Sequence, residues 1–170
     1  MLDDDLILIW EQYSLTTLYH GSYGNTTFDN PTEKGIWFVE DIDAGILDYY
    51  SSRGGQSTIL KCMVDLGNVL DLTMYNADEY LLEDDAEEFL IDVVESRSQK
   101  WIDYFFYEDF ETDFDEYGEP RLATSVILNH IIEYEPIIKS KYDSLAIMES
   151  DDETTYNVFD KVSIKRCDKV

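Results

Sequence analysis

Cysteine and histidine are scarce in this 170-residue sequence, which contains two of each. The cysteines, Cys62 and Cys167, belong to no CxxC motif and to no Cys/His cluster, so the sequence encodes no zinc site. Cys62 lies in the apolar run 59–64 and is expected to be a small core residue. A disulfide between the two cysteines is compatible with the sequence but is not required by it.

Positive charge is scarce as well. Lysine and arginine total 12 against 38 aspartates and glutamates, which gives a formal net charge of −26. A surface of this sign repels nucleic acid phosphates and anionic membranes, so direct binding to either is not expected. It attracts a strongly basic protein, by a force that added salt weakens. The carboxylates lack the spacing of an EF-hand, and no metal site is predicted.

Long apolar runs are also missing, since no stretch approaches the roughly 20 residues that span a bilayer. The first five residues, Met1 to Asp5, carry the wrong charge for a secretory signal. We therefore expect a soluble, cytoplasmic protein. The chain is 44% hydrophobic and 14% aromatic, which indicates a folded protein, and its length favours one domain over residues 1–170.

Patterns typical of strands and of helices occupy different parts of the sequence. Apolar, β-branched and aromatic residues predict strands over 15–20, 36–39, 57–66, 155–159 and 162–164. Helices are predicted over 41–51, over 76–100 with Leu82 in its apolar stripe, and over 124–138 with an end near Pro136. Residues 23–35 are predicted to be a loop, and 101–118 a helix followed by a loop. This mixture indicates an α+β fold.

A more specific pattern is carried by ordered stretches. They are Leu18-Tyr19-His20-Gly21-Ser22, then Gly35-Ile36-Trp37-Phe38 with Ala44 and Tyr49-Tyr50-Ser51, then Leu60 to Leu72, and finally Tyr156-Asn157-Val158-Phe159-Asp160 with Ile164-Lys165. This order resembles small ADP-ribosyltransferases of the His–Tyr–acid class, among them phage anti-CRISPR ADP-ribosyltransferases. The resemblance covers residues 18–72 and 142–166. It implies a split β-sheet core with helices, and NAD as a substrate.

The resemblance also implies which residues bind NAD. His20 would hydrogen-bond a ribose hydroxyl, and the Gly21 backbone would approach the nicotinamide amide. Tyr50 would stack on the nicotinamide ring, with Tyr49 as a nearly equivalent choice. Arg53, ahead of Lys34 and Lys61, would offset the phosphate charge. The complete set expected at the NAD site is Tyr19, His20, Gly21, Ser22, Phe38, Tyr49, Tyr50 and Arg53.

A carboxylate is needed as well, because cleavage of the nicotinamide–ribose bond develops an oxocarbenium-like cation. The family places this acid just before the strand that contains Tyr156, which indicates Glu153, with Glu149, Asp151 and Asp152 as alternatives. The sequence departs from the family pattern by placing Thr154 and Thr155 between the last acid and Tyr156. The expected catalytic set is therefore His20, Tyr50 and Glu153.

Acidic and aromatic residues alternate over 105–119, a composition that favours docking to a basic protein, since aromatic side chains anchor and charge steers. The leading hypothesis is a mono-ADP-ribosyltransferase that modifies a protein, with a nucleic-acid-handling host enzyme as its target and a phage anti-defence setting. The alternative is a non-catalytic acidic inhibitor that imitates DNA. A third reading is an NAD glycohydrolase. His130, on an apolar helix, is expected to be structural.

Overall fold

The structure is a computed structural model that describes residues 15–22, 34–42, 58–108, 110–149 and 153–170. Its strands are β1 (Thr16–Ser22), β2 (Ile36–Val39), β3 (Thr58–Val64), β4 (Val69–Asn76), β5 (Tyr80–Leu82), β6 (Asp113–Phe114), β7 (Pro120–Ala123), β8 (Ser144–Glu149), β9 (Glu153–Val158) and β10 (Ile164–Lys169). Its helices are α1 (Glu83–Val94), α2 (Ser98–Ile102), α3 (Thr124–Tyr134) and α4 (Pro136–Lys141). A π-helical turn follows α2 at Asp103–Tyr107. The predicted α+β class is confirmed.

A seven-stranded sheet has the order β10-β3-β1-β2-β9-β8-β4, and a three-stranded sheet has the order β5-β7-β6. In the large sheet, β4 and β8 are parallel and the other neighbouring strands are antiparallel. One row of cross-strand partners runs from Tyr19 through Val39 and Thr155 to Ile147. Since side chains alternate along each strand, this row fixes which residues share a face of the sheet.

The two faces of the large sheet bury different apolar clusters. On the helix face, side chains of β4 and β8 pack with α1 and α3 in a cluster that includes Leu72, Ile147, Phe89 and Ile127. The opposite face, which we call the His20 face, carries the cluster Leu18, Ile36, Phe38, Leu60, Cys62, Val64 and Val158. A residue's position along its strand therefore decides in which of these two environments its side chain lies.

The helical middle of the chain begins later than predicted. The predicted helix 76–100 starts only at Glu83, because Tyr80–Leu82 form β5 and pair with β7. Leu82 is consequently exposed and does not belong to the apolar stripe of the helix. Helix α3 ends at Tyr134, near Pro136 as predicted, and Pro136 then begins α4, where its missing N–H removes no helical hydrogen bond.

A buried carboxylate joins two helical segments. Glu135 accepts hydrogen bonds from Arg97 at 2.6 Å, from the Trp101 indole at 3.2 Å and from the backbone N of Ile137 at 3.3 Å. Burial alone would raise the pKa of the Glu135 carboxyl, but these donors hold it below its ordinary value. Glu135 thus caps α4 and ties it to the segment that contains Arg97 and Trp101.

The turn before β2 is fixed from β9. The Asn157 side chain is fully buried and donates a hydrogen bond to the Lys34 carbonyl at 3.0 Å. Gly35 has a φ of +72°, and a Cβ at this position would lie 1.8 Å from Asn157 Oδ1. Only glycine fits here, for both conformational and steric reasons.

A disulfide joins Cys62 on β3 to Cys167 on β10, where the two residues are cross-strand partners. Cys62 is fully buried in the cluster of the His20 face, in agreement with the predicted core role. None of the described helices is long and apolar enough to cross a membrane. The predicted helix 41–51 and most of the predicted loop 23–35 lie outside the described residues.

Candidate functional site

His20 lies near the end of β1, on the face of the sheet that bears its name. Its Nδ1 donates a hydrogen bond of 2.7 Å to the Trp37 carbonyl, which can only accept and therefore fixes the tautomer. Its ring lies 5.6 Å from the ring of Phe38, centroid to centroid. Burial lowers the pKa of His20, so the imidazole is neutral near pH 7. A neutral imidazole suits hydrogen bonding to a sugar hydroxyl better than it suits binding a phosphate.

The strand registers bring two further polar groups to the His20 face. Phe38 is paired with Tyr156, and Glu40 follows β2 with the same alternation as Phe38. The Tyr156 hydroxyl donates a hydrogen bond to the Glu40 carboxylate. Burial, together with this negative partner, raises the pKa of Tyr156, which stays protonated. His20, Tyr156 and Glu40 therefore share one face.

The other residues expected around His20 take different positions. Tyr19 points to the helix face, where it packs with Val39. Phe38 is almost completely buried in the apolar cluster. Gly21 and Ser22 belong to β1 and pair with β3. Of this group, only Gly21 and Ser22 lie at the strand end beside His20.

Three residues of the predicted NAD site, Tyr49, Tyr50 and Arg53, lie outside the described residues. The two alternative cations are described. Lys34 forms an ion pair with Glu133 at 3.8 Å, and Lys61 is exposed on β3 opposite Tyr19. A phosphate-neutralising role for Arg53 stays a prediction.

The candidate acids lie at the β8–β9 connection. Glu153, the first residue of β9, is the cross-strand partner of Glu149, the last residue of β8. Burial, with repulsion from Asp78 and Glu153, raises the pKa of Glu149 to about 7. Asp151 and Asp152 lie outside the described residues. Glu149 and Glu153 are thus a carboxyl pair, and Glu149 keeps its proton to a higher pH than an ordinary glutamate.

His20 and Glu153 point to opposite faces of the large sheet. Glu153 has the same alternation as Thr155, which lies in one cross-strand row with Tyr19 on the helix face. His20 follows Tyr19 directly and therefore points the other way. The strands accordingly do not bring the imidazole and the carboxylates of Glu149 and Glu153 into one cleft. Among the described acids, Glu40 shares a face with His20, and so does Asp71, which lies in one cross-strand row with Tyr156 and Phe38.

Sequence reasoning did not select Glu40, and it used Tyr156 only as a marker of a strand. Their role on the His20 face depends on the register of β2 against β1 and β9, which the sequence does not specify. Glu40 follows the apolar run 36–39 directly. An acidic residue at the end of a buried strand is the one sequence feature that could have identified Glu40 as a candidate.

A second candidate region is acidic. Residues 78–119 contain 17 of the 38 acidic residues but only two of the 12 cations, Arg97 and Lys100, which gives this stretch a net charge of −15. Helix α1 has six carboxylates, and its exposed positions include Asp84, Asp85, Glu87, Glu88 and Asp92. None of the six forms an ion pair with a described lysine or arginine.

Within the predicted docking segment 105–119, the aromatic residues divide into two groups. Phe105 is buried, Phe106 is half-buried, and Phe110 packs with Phe105 against His130, whose Nδ1 bonds to the Val126 carbonyl at 3.0 Å. His130 is therefore structural, as predicted. Tyr107, Phe114 and Tyr117 are exposed to 67%, 56% and 82% respectively. These three provide the apolar surface available for docking.

Comparisons with known proteins do not place the chain in a family. No protein-family model and no curated protein matches it. Among solved structures, one described as "Crystal structure of an anti-CRISPR protein" aligns with 94% of this chain and 98% of that chain, at 18% identity and a TM-score of 0.41. A likeness at this level carries no argument about activity.

Proposed function

We propose that the protein is a non-catalytic acidic inhibitor, which occupies the nucleic-acid-binding surface of a basic protein by imitating the charge of a nucleic acid strand. The observation that carries this proposal is the charge density of α1. Its 12 residues contain six carboxylates. At a rise of 1.5 Å per residue the helix is about 18 Å long, which gives one charge per about 3 Å. One strand of DNA carries one charge per about 3.4 Å.

The arrangement of these acids works against helix stability. Asp84, Glu88 and Asp92 follow one another at intervals of four residues, a spacing at which like charges destabilise a helix. The first-turn acids interact favourably with the helix dipole, but Asp92 lies in the last turn, where the dipole disfavours negative charge. Asp92 is partly compensated by a hydrogen bond from the Tyr75 hydroxyl, but Asp84 and Glu88 are exposed at a spacing that costs stability, which supports a role in binding.

The geometry of the His20 face also supports this choice over catalysis. The imidazole is engaged with the Trp37 carbonyl, and the predicted acid Glu153 points to the other face. The resemblance to phage anti-CRISPR ADP-ribosyltransferases makes a phage anti-defence role the setting that we propose. The partner is then a host nucleic-acid-handling protein with a basic surface.

The test is capture of partners from a nuclease-treated host lysate by the immobilised protein, followed by elution with duplex DNA. We expect nucleic-acid-binding proteins to elute. The triple variant Asp84→Asn, Glu87→Gln, Glu88→Gln should reduce their capture at least tenfold, because each lost charge weakens steering and binding. The matched control Asp41→Asn, Glu133→Gln, Asp168→Asn removes the same charge from other elements and should retain most of it. Capture that neither DNA nor the α1 variant affects would contradict the proposal.

A second candidate function, NAD-dependent mono-ADP-ribosylation of a protein, is favoured by one observation: His20, Tyr156 and Glu40 share a face of the sheet. In this second proposal, Glu40 rather than Glu153 supplies the carboxylate on the face of His20, and Tyr50 stacks on the nicotinamide. Purified protein, labelled NAD and host lysate should then give a labelled band that His20→Ala and Glu40→Gln abolish and Glu153→Gln leaves intact. Release of free nicotinamide without a labelled protein would indicate a glycohydrolase.

A further inference from the structure

The β6–β7 hairpin has a rigid tip. The Asp115 side chain accepts hydrogen bonds from the backbone N of Tyr117 at 2.9 Å and of Glu119 at 2.8 Å. The backbone of Asp115 bonds to Glu119 at 2.9 Å, and Gly118 bonds to the Asp115 carbonyl at 3.1 Å. Gly118 has a φ of +80°, which closes the turn without strain. The tip is thus held in one conformation before any partner arrives.

This rigid tip exposes two aromatic side chains. Tyr117 is 82% exposed and Phe114 is 56% exposed. Aromatic side chains on a fixed backbone lose little conformational entropy when they bind, which is why they dominate binding energy at protein interfaces. Neither ring contributes to the buried cluster of the helix face. Their exposure is therefore not explained by folding.

The electrostatic surroundings identify the partner's chemistry. Glu111, Glu116 and Glu119 are exposed and lie within three residues of Phe114 or Tyr117 in the sequence. The nearby cation Arg121 is engaged twice, by Asp113 at 3.0 Å and by the ring of Tyr80 at 4.5 Å. Arg121 over Tyr80 also shows that a guanidinium stacks on an aromatic ring in this acidic region. An exposed ring in so acidic a segment favours a cation above its face.

We propose that Tyr117 and Phe114 are an aromatic clamp for arginine side chains of the basic partner, with the acids of the hairpin pairing with the same guanidinium groups. This inference rests on the proposed function and adds the position of its anchor. Helix α1 supplies long-range charge, and the hairpin supplies short-range contact. The two are adjacent, because β7 pairs with β5 and β5 leads directly into α1.

The experiment measures binding of a fluorescein-labelled nine-arginine peptide to the full chain by anisotropy at several salt concentrations. The double variant Phe114→Ala, Tyr117→Ala should weaken binding about fivefold to twentyfold at every salt concentration, since each exposed cation–π contact contributes modestly. The slope of log affinity against log salt should stay unchanged, because no charge is removed. Tyr117→Trp should retain the affinity of the parent. The control Met74→Ala, Tyr134→Ala removes exposed apolar groups elsewhere and should change affinity less than twofold.

The experiment can contradict the aromatic clamp and charge imitation by α1 independently of each other. If the hairpin variant binds within twofold of the parent, or if it changes the salt slope, the aromatic clamp is wrong while charge imitation survives. If the α1 variant Asp84→Asn, Glu87→Gln, Glu88→Gln keeps the parent's salt slope, charge imitation by α1 is wrong. Thermal unfolding of each variant, within a few degrees of the parent, shows that a loss of binding does not come from misfolding.

Discussion

The polar side chains of the His20 face and those of helix α1 differ in how they interact with the rest of the protein. On the His20 face, the imidazole bonds to the Trp37 carbonyl and the Tyr156 hydroxyl bonds to Glu40. On α1, exposed acids recur at every turn and none is in an ion pair with a described cation, although Asp92 and Glu83 accept hydrogen bonds from the Tyr75 and Tyr107 hydroxyls. Polar groups that bond to one another on the sheet mainly stabilise the fold. Surface charges without an oppositely charged partner in the protein can instead attract a binding partner.

This contrast explains why net charge is more informative here than the local motif. The bond that Nδ1 of His20 makes to the Trp37 carbonyl gives the His-Gly pair at this strand end a structural role. The row of acids on α1 is explained only in part, by the hydrogen bond from the Tyr75 hydroxyl to Asp92, because like charges four residues apart destabilise the helix. If the two regions have different roles, variants in each should change stability and partner binding to different extents.

The largest effect on stability is expected from loss of the disulfide that joins β3 to the edge strand β10. Cys62 and Cys167 are 105 residues apart in sequence, and closing a loop of about 100 residues stabilises by about 4 to 5 kcal/mol in the chain-entropy model. Cys167→Ser should lower the melting temperature strongly, and dithiothreitol should lower that of the parent to the same value. Amide exchange should accelerate most in β3 and β10. A parent that dithiothreitol leaves unchanged would show that the bond does not form.

Removing the buried charge beneath the helices should have the next largest effect. Glu135→Gln keeps the shape of the side chain but replaces the charged acceptor of the bonds from Arg97 and Trp101 by a neutral one, and hydrogen bonds to charged groups contribute about 1.5 to 3 kcal/mol. Chemical denaturation measures the loss. The exposed ion pair between Lys141 and Glu95 is the control, and Glu95→Gln should cost less than about 1 kcal/mol. Equal losses in the two variants would contradict the structural role of Glu135.

The fold class, β2 and most of β1 and β3 were predictable from the sequence, because short β-branched and aromatic runs bounded by glycine have few alternatives. The start of α1 was not. Leu81 and Leu82 fit a helical stripe, and only the pairing of β5 with β7, 40 residues away, makes them strand residues. The same holds for the candidate site: His20 was visible, but the face on which Glu153 lies depends on long-range register. The Arg121–Tyr80 stacking likewise exists only through that pairing.

A smaller, pH-dependent effect is expected at Glu149. Its pKa is raised to about 7 by burial and by repulsion from Asp78 and Glu153, so folding favours the protonated form. The stability that this proton contributes is complete below the unfolded pKa of about 4.5 and is lost as pH rises to about 7. Glu149→Gln should therefore stabilise the protein by about 1 to 2 kcal/mol at pH 8, after allowance for partial exposure, and change little at pH 4. Glu153→Gln should reproduce part of the gain.

The smallest effect on stability is expected from α1, and its sign is the informative part. Neutralising Asp84, Glu87 and Glu88 removes the like-charge contacts of Glu88 with Asp84 and Asp92 but also the favourable interaction of the first-turn acid Asp84 with the helix dipole. The net change in unfolding free energy should be within about 0.5 kcal/mol of zero at low salt. The same variant loses at least tenfold of its partner capture. A surface whose charges matter little for stability and greatly for binding is the behaviour that separates α1 from the His20 face, and a large destabilisation would instead make its acids part of the fold.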